Sequence, residues 1–176
     1  MVRFARLKVE IRGHFYIILI DKAVIMTEKS PFSKIDHIEI TVRDVDRVTR
    51  FYESIGLGPF TTMKAMMSGK EVMGQRIKPD ELINKTRSAQ IGTVQLHVAQ
   101  PFRGETMQKR FLETKGEGID HICFSVDDID KEVARLEKKG LKVIYRSWFQ
   151  NGGGTAFFDT SEFGGFPLEL IQWPPQ

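Results

Sequence analysis

Three histidines and one glutamate stand where they could hold a divalent cation. The tetrapeptide Ile35-Asp36-His37-Ile38 returns 84 positions later as Ile119-Asp120-His121-Ile122, and Leu96-His97-Val98 is matched 72 positions later by Leu168-Glu169-Leu170. Imidazole nitrogens and carboxylate oxygens are ordinary ligands of divalent first-row metals, and three His with one Glu make a plausible set. A lone histidine on a strand is more often a satisfied polar residue than a ligand. Here, however, three of the chain's 4 histidines fall at repeat-equivalent places. Glu169 lies inside Pro167-Leu168-Glu169-Leu170-Ile171, where an unpaired buried carboxylate would be costly. His37, His97, His121 and Glu169 are therefore the candidate ligands of one divalent ion, whether Co, Zn, Ni, Mn or Fe. His14 lies outside the repeat and is assigned no role.

The repeat also says which elements must position these residues. After each Asp-His strand come Val42, Asp44, Val45 and Asp46 in the first copy, and Val126, Asp128, Ile129 and Asp130 in the second. Each Asp caps an amphipathic helix, carrying Val45, Val48, Phe51, Tyr52 and Ile55, or Ile129, Val133 and Leu136. Short strands follow, closing in 93–99 and 166–172. The first copy is about 12 residues longer than the second, and the surplus falls in the polar, Met- and Lys-rich stretch 63–85.

The fold class expected is α+β: two tandem βαβββ modules forming a curved mixed sheet, a half-open barrel around a metal-centred cleft. Strand alternation puts Ile38, Ile40 and Val42, and Ile122, Phe124 and Val126, under the helices. His37, Glu39 and Thr41, with His121, Cys123 and Ser125, then face the cleft, as do Gln95, His97 and Glu169. A pseudo-twofold axis would set His37 opposite His121 and His97 opposite Glu169. Residues 34–176 read as one domain, with module one at about 34–102, a linker at about 103–115 and module two at about 116–174. Residues 1–33 read as an N-terminal extension, either a floppy arm or a segment upstream of a translation start at Met26.

The Ile-Asp-His-Ile strands, the Gly116-Glu117-Gly118-Ile119-Asp120-His121-Ile122 run and Leu168-Glu169-Leu170-Ile171-Gln172 resemble the vicinal-oxygen-chelate superfamily. Within it the look is nearest to the methylmalonyl-CoA epimerase branch, over roughly residues 34–174, and 110–118 resembles that branch's inter-module linker. The resemblance implies that the first and last strands of each module supply the ligands His37, His97, His121 and Glu169. Relatives often carry Glu or Gln where this chain has His97, so its shell is less negative. The resemblance further implies an epimerase or isomerase that abstracts a proton alpha to the carbonyl of an acyl-CoA, with a homodimer as the default assembly. A glyoxalase I-like lyase, an Fe(II) ring-cleaving dioxygenase and a non-enzymatic small-molecule binder are the alternatives.

Epimerisation needs two proton-transfer groups. Glu169 could be one. The stretch 84–90, where such epimerases commonly carry a carboxylate, has none, so Glu39, two residues after His37, is the substitute. Glu71, Asp80 and Glu81 in the longer insert could also reach in. Arg87 fits an exposed strand arginine better than a substrate clamp, and Gly152-Gly153-Gly154 fits a hairpin turn as well as a lid. Cys123, Trp148, Phe149, Phe157 and Phe158 are divided between cleft wall and core.

The net charge of +3 over 176 residues comes from scattered Lys and Arg with no long basic run, which gives nucleic acid little support. The apolar run Phe15–Ile20 ends at Asp21-Lys22, far short of the roughly 20 residues of a membrane span. One cysteine excludes an intrachain disulfide and fits a cytoplasmic setting.

Overall fold

The computed structural model describes residues 4–11, 14–21, 30–64, 67–163 and 165–175. Two compact units are present, 1–30 and 31–176. In the first, β1 (Phe4–Ile11) and β2 (His14–Asp21) pair as an antiparallel hairpin. Met26, the second possible start, lies outside the described residues.

The second unit is built from one curled mixed sheet. Its strands are β3 (Ile35–Thr41), β4 (Thr61–Thr62), β5 (Met67–Val72), β6 (Gln75–Ile77), β7 (Ile83–Ile91), β8 (Val94–Arg103), β9 (Gly118–Ser125), β10 (Val143–Phe149), β11 (Gly154–Phe158) and β12 (Leu168–Gln172). They run in the order β4-β7-β8-β3-β9-β12-β11-β10-β5-β6. Three helices accompany them: α1 (Val45–Ser54), α2 (Met107–Thr114) and α3 (Ile129–Glu137). Among the described residues no helix is long and apolar enough to cross a membrane.

The repeat is visible as matched hydrogen bonds. Asp44 accepts from Arg47 N at 2.8 Å and Asp128 from Lys131 N at 3.0 Å, so each module caps its helix with the same side chain. Gln100 and Gln172, on the closing strands, accept from the first helical amides, Val45 N and Ile129 N, at 3.1 and 2.9 Å. Thr41 donates to Asp120 at 2.9 Å, and its counterpart Ser125 donates to Asp36 at 2.7 Å. That exchange joins the modules along β3 and β9, the two strands at the centre of the sheet.

Each helix closes its own apolar core. Ile129, Val133 and Leu136 pack with Ala156, Phe158 and Leu170. Val45 packs with Val42, Phe60, Ala89 and Val98, helped by Val48 and Tyr52. Phe51 and Ile55 do not join them; they stay 59% and 64% exposed. The buried position on the stripe between Val45 and Tyr52 is Thr49, whose hydroxyl donates back to Val45 O, so the inward face of α1 is narrower than the sequence pattern implied.

The surplus length of module one has an unexpected destination. β4 pairs with β7 at module one's edge, but β5, five residues after β4 ends, pairs with β10 of module two. The insert hairpin β5–β6 thus leaves its own module and extends the other, bringing both ends of the sheet close together.

Candidate metal centre and cleft

The central strands place the candidate residues by register alone. Along the antiparallel β3–β9 pair, His37 faces Cys123 and Glu39 faces His121. Along the parallel outer pairs, Glu39 faces His97 and Cys123 faces Glu169. The two sets are related by the pseudo-twofold axis, so Glu39 and Cys123 are counterparts, as are His97 and Glu169. All six side chains are buried on the cleft face.

His37, His121 and Glu169 converge. Glu169 Oε2 is 3.0 Å from His37 Nε2 and 2.9 Å from His121 Nε2. His37, Glu39 and His121 each offer a ligand atom within 4.8 Å of the others. His121 Nε2 and Glu169 Oε2 are buried against each other without the alignment of a regular hydrogen bond. Two imidazole nitrogens and a carboxylate oxygen converging on one buried spot, with the closest pair poorly aligned for a hydrogen bond, are a donor set that fits a cation there. His97 stands aside: its ring stacks on that of His37 at 3.8 Å, and its Nε2 meets Gln95 Oε1 at 3.0 Å. Glu39 accepts from Gln108 Nε2 at 2.8 Å and lies 3.8 Å from His121 Nδ1.

The electrostatics follow from this crowding. Burial pulls the His37 pKa down, but the carboxylates of Glu169 and Asp36 outweigh it and raise the value to about 9. Burial likewise opposes protonation of His121, yet Glu39 and Glu169 push it well above the ordinary range. Burial and the neighbouring His37 charge drop His97 to about 3, leaving it neutral. Glu169, against the burial penalty, is held well below the carboxylate range by the same two imidazoles. Burial raises Glu39. Without a metal, two imidazolium protons occupy the electrostatic place of a divalent cation.

A cavity of about 590 Å³ opens over this cluster. Phe149 and Phe157 line it, whereas Phe158 belongs to the core under α3 and Trp148 lies on the other face beneath Arg76. Cys123 packs with Phe149 and Ile171 on the cleft side. Asp80 lines the cavity, while Glu71 pairs outward with Arg76 at 3.5 Å and Glu81 accepts from Lys78 N at 3.2 Å. Arg87 turns to Asp46 and Thr49 on α1. The triple glycine makes the β10–β11 turn. A side chain at Gly153, where φ is +72°, would put its Cβ 2.2 Å from the Gln172 carbonyl oxygen, so glycine is needed for close approach there.

Several lining residues have no sequence motif. Gln108 comes from α2, inside the stretch read as linker. A capping Thr106 followed by Met107-Gln108-Lys109-Arg110-Phe111-Leu112-Glu113 was a readable helix signal. Tyr145, Lys70 and Asn84 also line the cavity.

With fold and site in view, comparison with known proteins defines the class. Residues 36–158 match the glyoxalase/bleomycin resistance protein/dioxygenase superfamily, and the chain belongs to that family. Similar chains include an uncharacterized protein, YqjC, of Bacillus subtilis, 26% identical over 80% of this chain and 92% of its own length. The mitochondrial methylmalonyl-CoA epimerase of Bos taurus is 22% identical over 79% of this chain and 74% of its own. A crystal structure of methylmalonyl-CoA epimerase from Mycobacterium tuberculosis superposes with a TM-score of 0.61 at 22% identity, covering 86% of this chain and 95% of that one.

Proposed function

We propose that this chain is a metal-dependent isomerase of the methylmalonyl-CoA epimerase kind, moving a proton at the carbon next to the carbonyl of an acyl-CoA. The observation that carries the reading is the meeting of His37 and His121 with Glu169 on the cavity floor, with Glu39 beside them. His37, His121 and Glu169, joined by His97 if its ring turns from Gln95, would hold a divalent ion, which would supply Lewis acidity toward charge developing on substrate oxygens.

The protein's own groups handle the proton. Glu39 is the leading base: burial raises its pKa above the ordinary carboxylate value, which strengthens it as a proton acceptor, and Gln108 fixes its orientation. Inversion needs a second group across the substrate, and Glu169 and Asp80 are the carboxylates available in the cavity wall. Phe149, Phe157 and Ile171 keep water from the acidic carbon. The same reading carries a homodimer in the cytoplasm, which sedimentation equilibrium and cell fractionation would test.

The test is solvent-deuterium exchange into methylmalonyl-CoA by metal-loaded protein. Deuterium at the alpha carbon, lost in His121→Ala together with the metal, supports the reading. A loaded metal without exchange sinks it.

His97 supports a second reading. Its contact with Gln95 leaves His37, His121 and Glu169, the two-His-one-carboxylate set of non-haem Fe(II) oxygenases. Selective retention of Fe(II) and oxygen uptake with aromatic diols would favour this alternative.

A further inference from the structure

The cavity has a second polar wall. β7 and β5 stand near opposite ends of the strand order, second and ninth of ten, yet Lys70 Nζ on β5 donates to Leu82 O, the residue just before β7. The curled sheet therefore meets itself at a seam. Because β3 and β9 lie in the middle of the order, the seam faces the imidazole cluster across the cavity. Lys70 is only 8% exposed, and it lines the cavity with Asn84 of β7. The Asn84 Oδ1 atom is buried without a hydrogen-bond partner. Lys64, from the segment joining β4 to β5, also lines the cavity.

An ammonium group has three donors, and one carbonyl satisfies one of them. Asp80, the nearby carboxylate, acts on Lys70 through charge without forming an ion pair within 4 Å. Enclosing a lysine is costly unless its charge is met. An amide exchanges its donor and acceptor ends by a half-turn, so Asn84, two residues after the Leu82 carbonyl that Lys70 meets, can donate into the cavity beside it.

We infer that Lys70 and Asn84 form an anion-binding subsite that takes a carboxylate or phosphate carried by the substrate away from its metal-facing oxygens. This rests on the metal-centred reading above and adds a substrate class to it: molecules with a chelating head and an anionic tail. The enclosure of Lys70 favours an anion drawn into the cavity.

The test uses the full chain loaded with cobalt, titrated with acetohydroxamate and with hydroxamates bearing a terminal carboxylate or phosphonate on chains of increasing length. At least one anionic probe binds about tenfold or more tighter than acetohydroxamate. Lys70→Met abolishes the gain and leaves acetohydroxamate binding unchanged; Lys70→Arg keeps part of it. Which terminal group gains identifies the anion. No gain with any anionic probe, or a gain that Lys70→Met leaves intact, overturns the subsite. If Lys70→Met does not fold, Asn84→Asp serves instead, because its added charge must erase the gain. Should cobalt fail to bind, the metal reading falls alone. The subsite is then read from the thermal shift produced by glutarate or glycerol phosphate: a shift lost in Lys70→Met or Asn84→Asp upholds it, and no shift overturns it.

Discussion

Glu39 is within reach both of the imidazoles and of any substrate above them, and the two roles predict different variants. As the base, Glu39→Gln keeps the metal and loses about a hundredfold or more in deuterium exchange. As a ligand, it loses metal as well, which elemental analysis of the purified variant would report. The imidazoles make a prediction about pH. His37 titrates near 9 against an ordinary 6.5, so in metal-free protein its charge contributes stability that is fully present below pH 6.5 and lost as pH rises toward 9. The linked loss is on the order of 3 kcal/mol and lowers the thermal midpoint across that window. Metal binding runs the other way, because the ion must displace those protons. Calorimetry in buffers of different ionisation enthalpy should show about two protons released per ion at neutral pH, with affinity rising as pH rises. Release of no protons would mean the ion binds elsewhere.

At the scale of elements, the pair of exchanged bonds, Thr41 to Asp120 and Ser125 to Asp36, both joins the modules and aims the cluster. Asp36 also accepts from Trp173 Nε1 at 2.8 Å and holds His37 Nδ1 at 2.9 Å. Asp36→Asn should weaken metal binding by about tenfold or more while the fold survives, measured by competition with a chromogenic chelator. Thr41→Val leaves Asp120 without its hydroxyl donor and should cost about 1–3 kcal/mol in denaturant unfolding. Much of this level was legible beforehand. The offset between Ile35-Asp36-His37-Ile38 and Ile119-Asp120-His121-Ile122 implied duplicated units, and strand alternation put His37, Glu39, His121 and Glu169 on one face. Phe51 and Ile55 misled because helical spacing marks a stripe but not its width, and Thr49 occupies the buried line. Gln108 was missed because a strip of helix formers had been read only as a connection.

At the scale of the whole molecule, the pairing of β5 with β10 was invisible in the chain. Strand pairing between segments some 75 residues apart is set by where the curled sheet's edges arrive, and neither segment carries a mark of the other. The cavity depends on that closure, since Lys70, Met63 and Met67 belong to the crossing insert. Phe158 is fully buried beneath α3, in module two's core and not in the cavity lining. Phe158→Ala should lower unfolding free energy by about 3–5 kcal/mol through a cavity in module two's core, read by chemical denaturation. Shortening the β5–β6 hairpin should instead spare most of the stability and abolish ligand retention.

The crossing insert also imposes an order of events on synthesis. As the chain leaves the ribosome, β3, α1, β7 and β8 can assemble with local partners, but β5, paired locally with β6 alone, must wait for residues 143–149 before its other edge gains a neighbour. Until then that edge offers unpaired backbone amides and carbonyls to any other strand nearby, which is a hazard for aggregation. Closure of the cleft therefore comes late in folding, and a nascent chain stalled before Val143 would carry His37, His97 and His121 without a chamber to use them in.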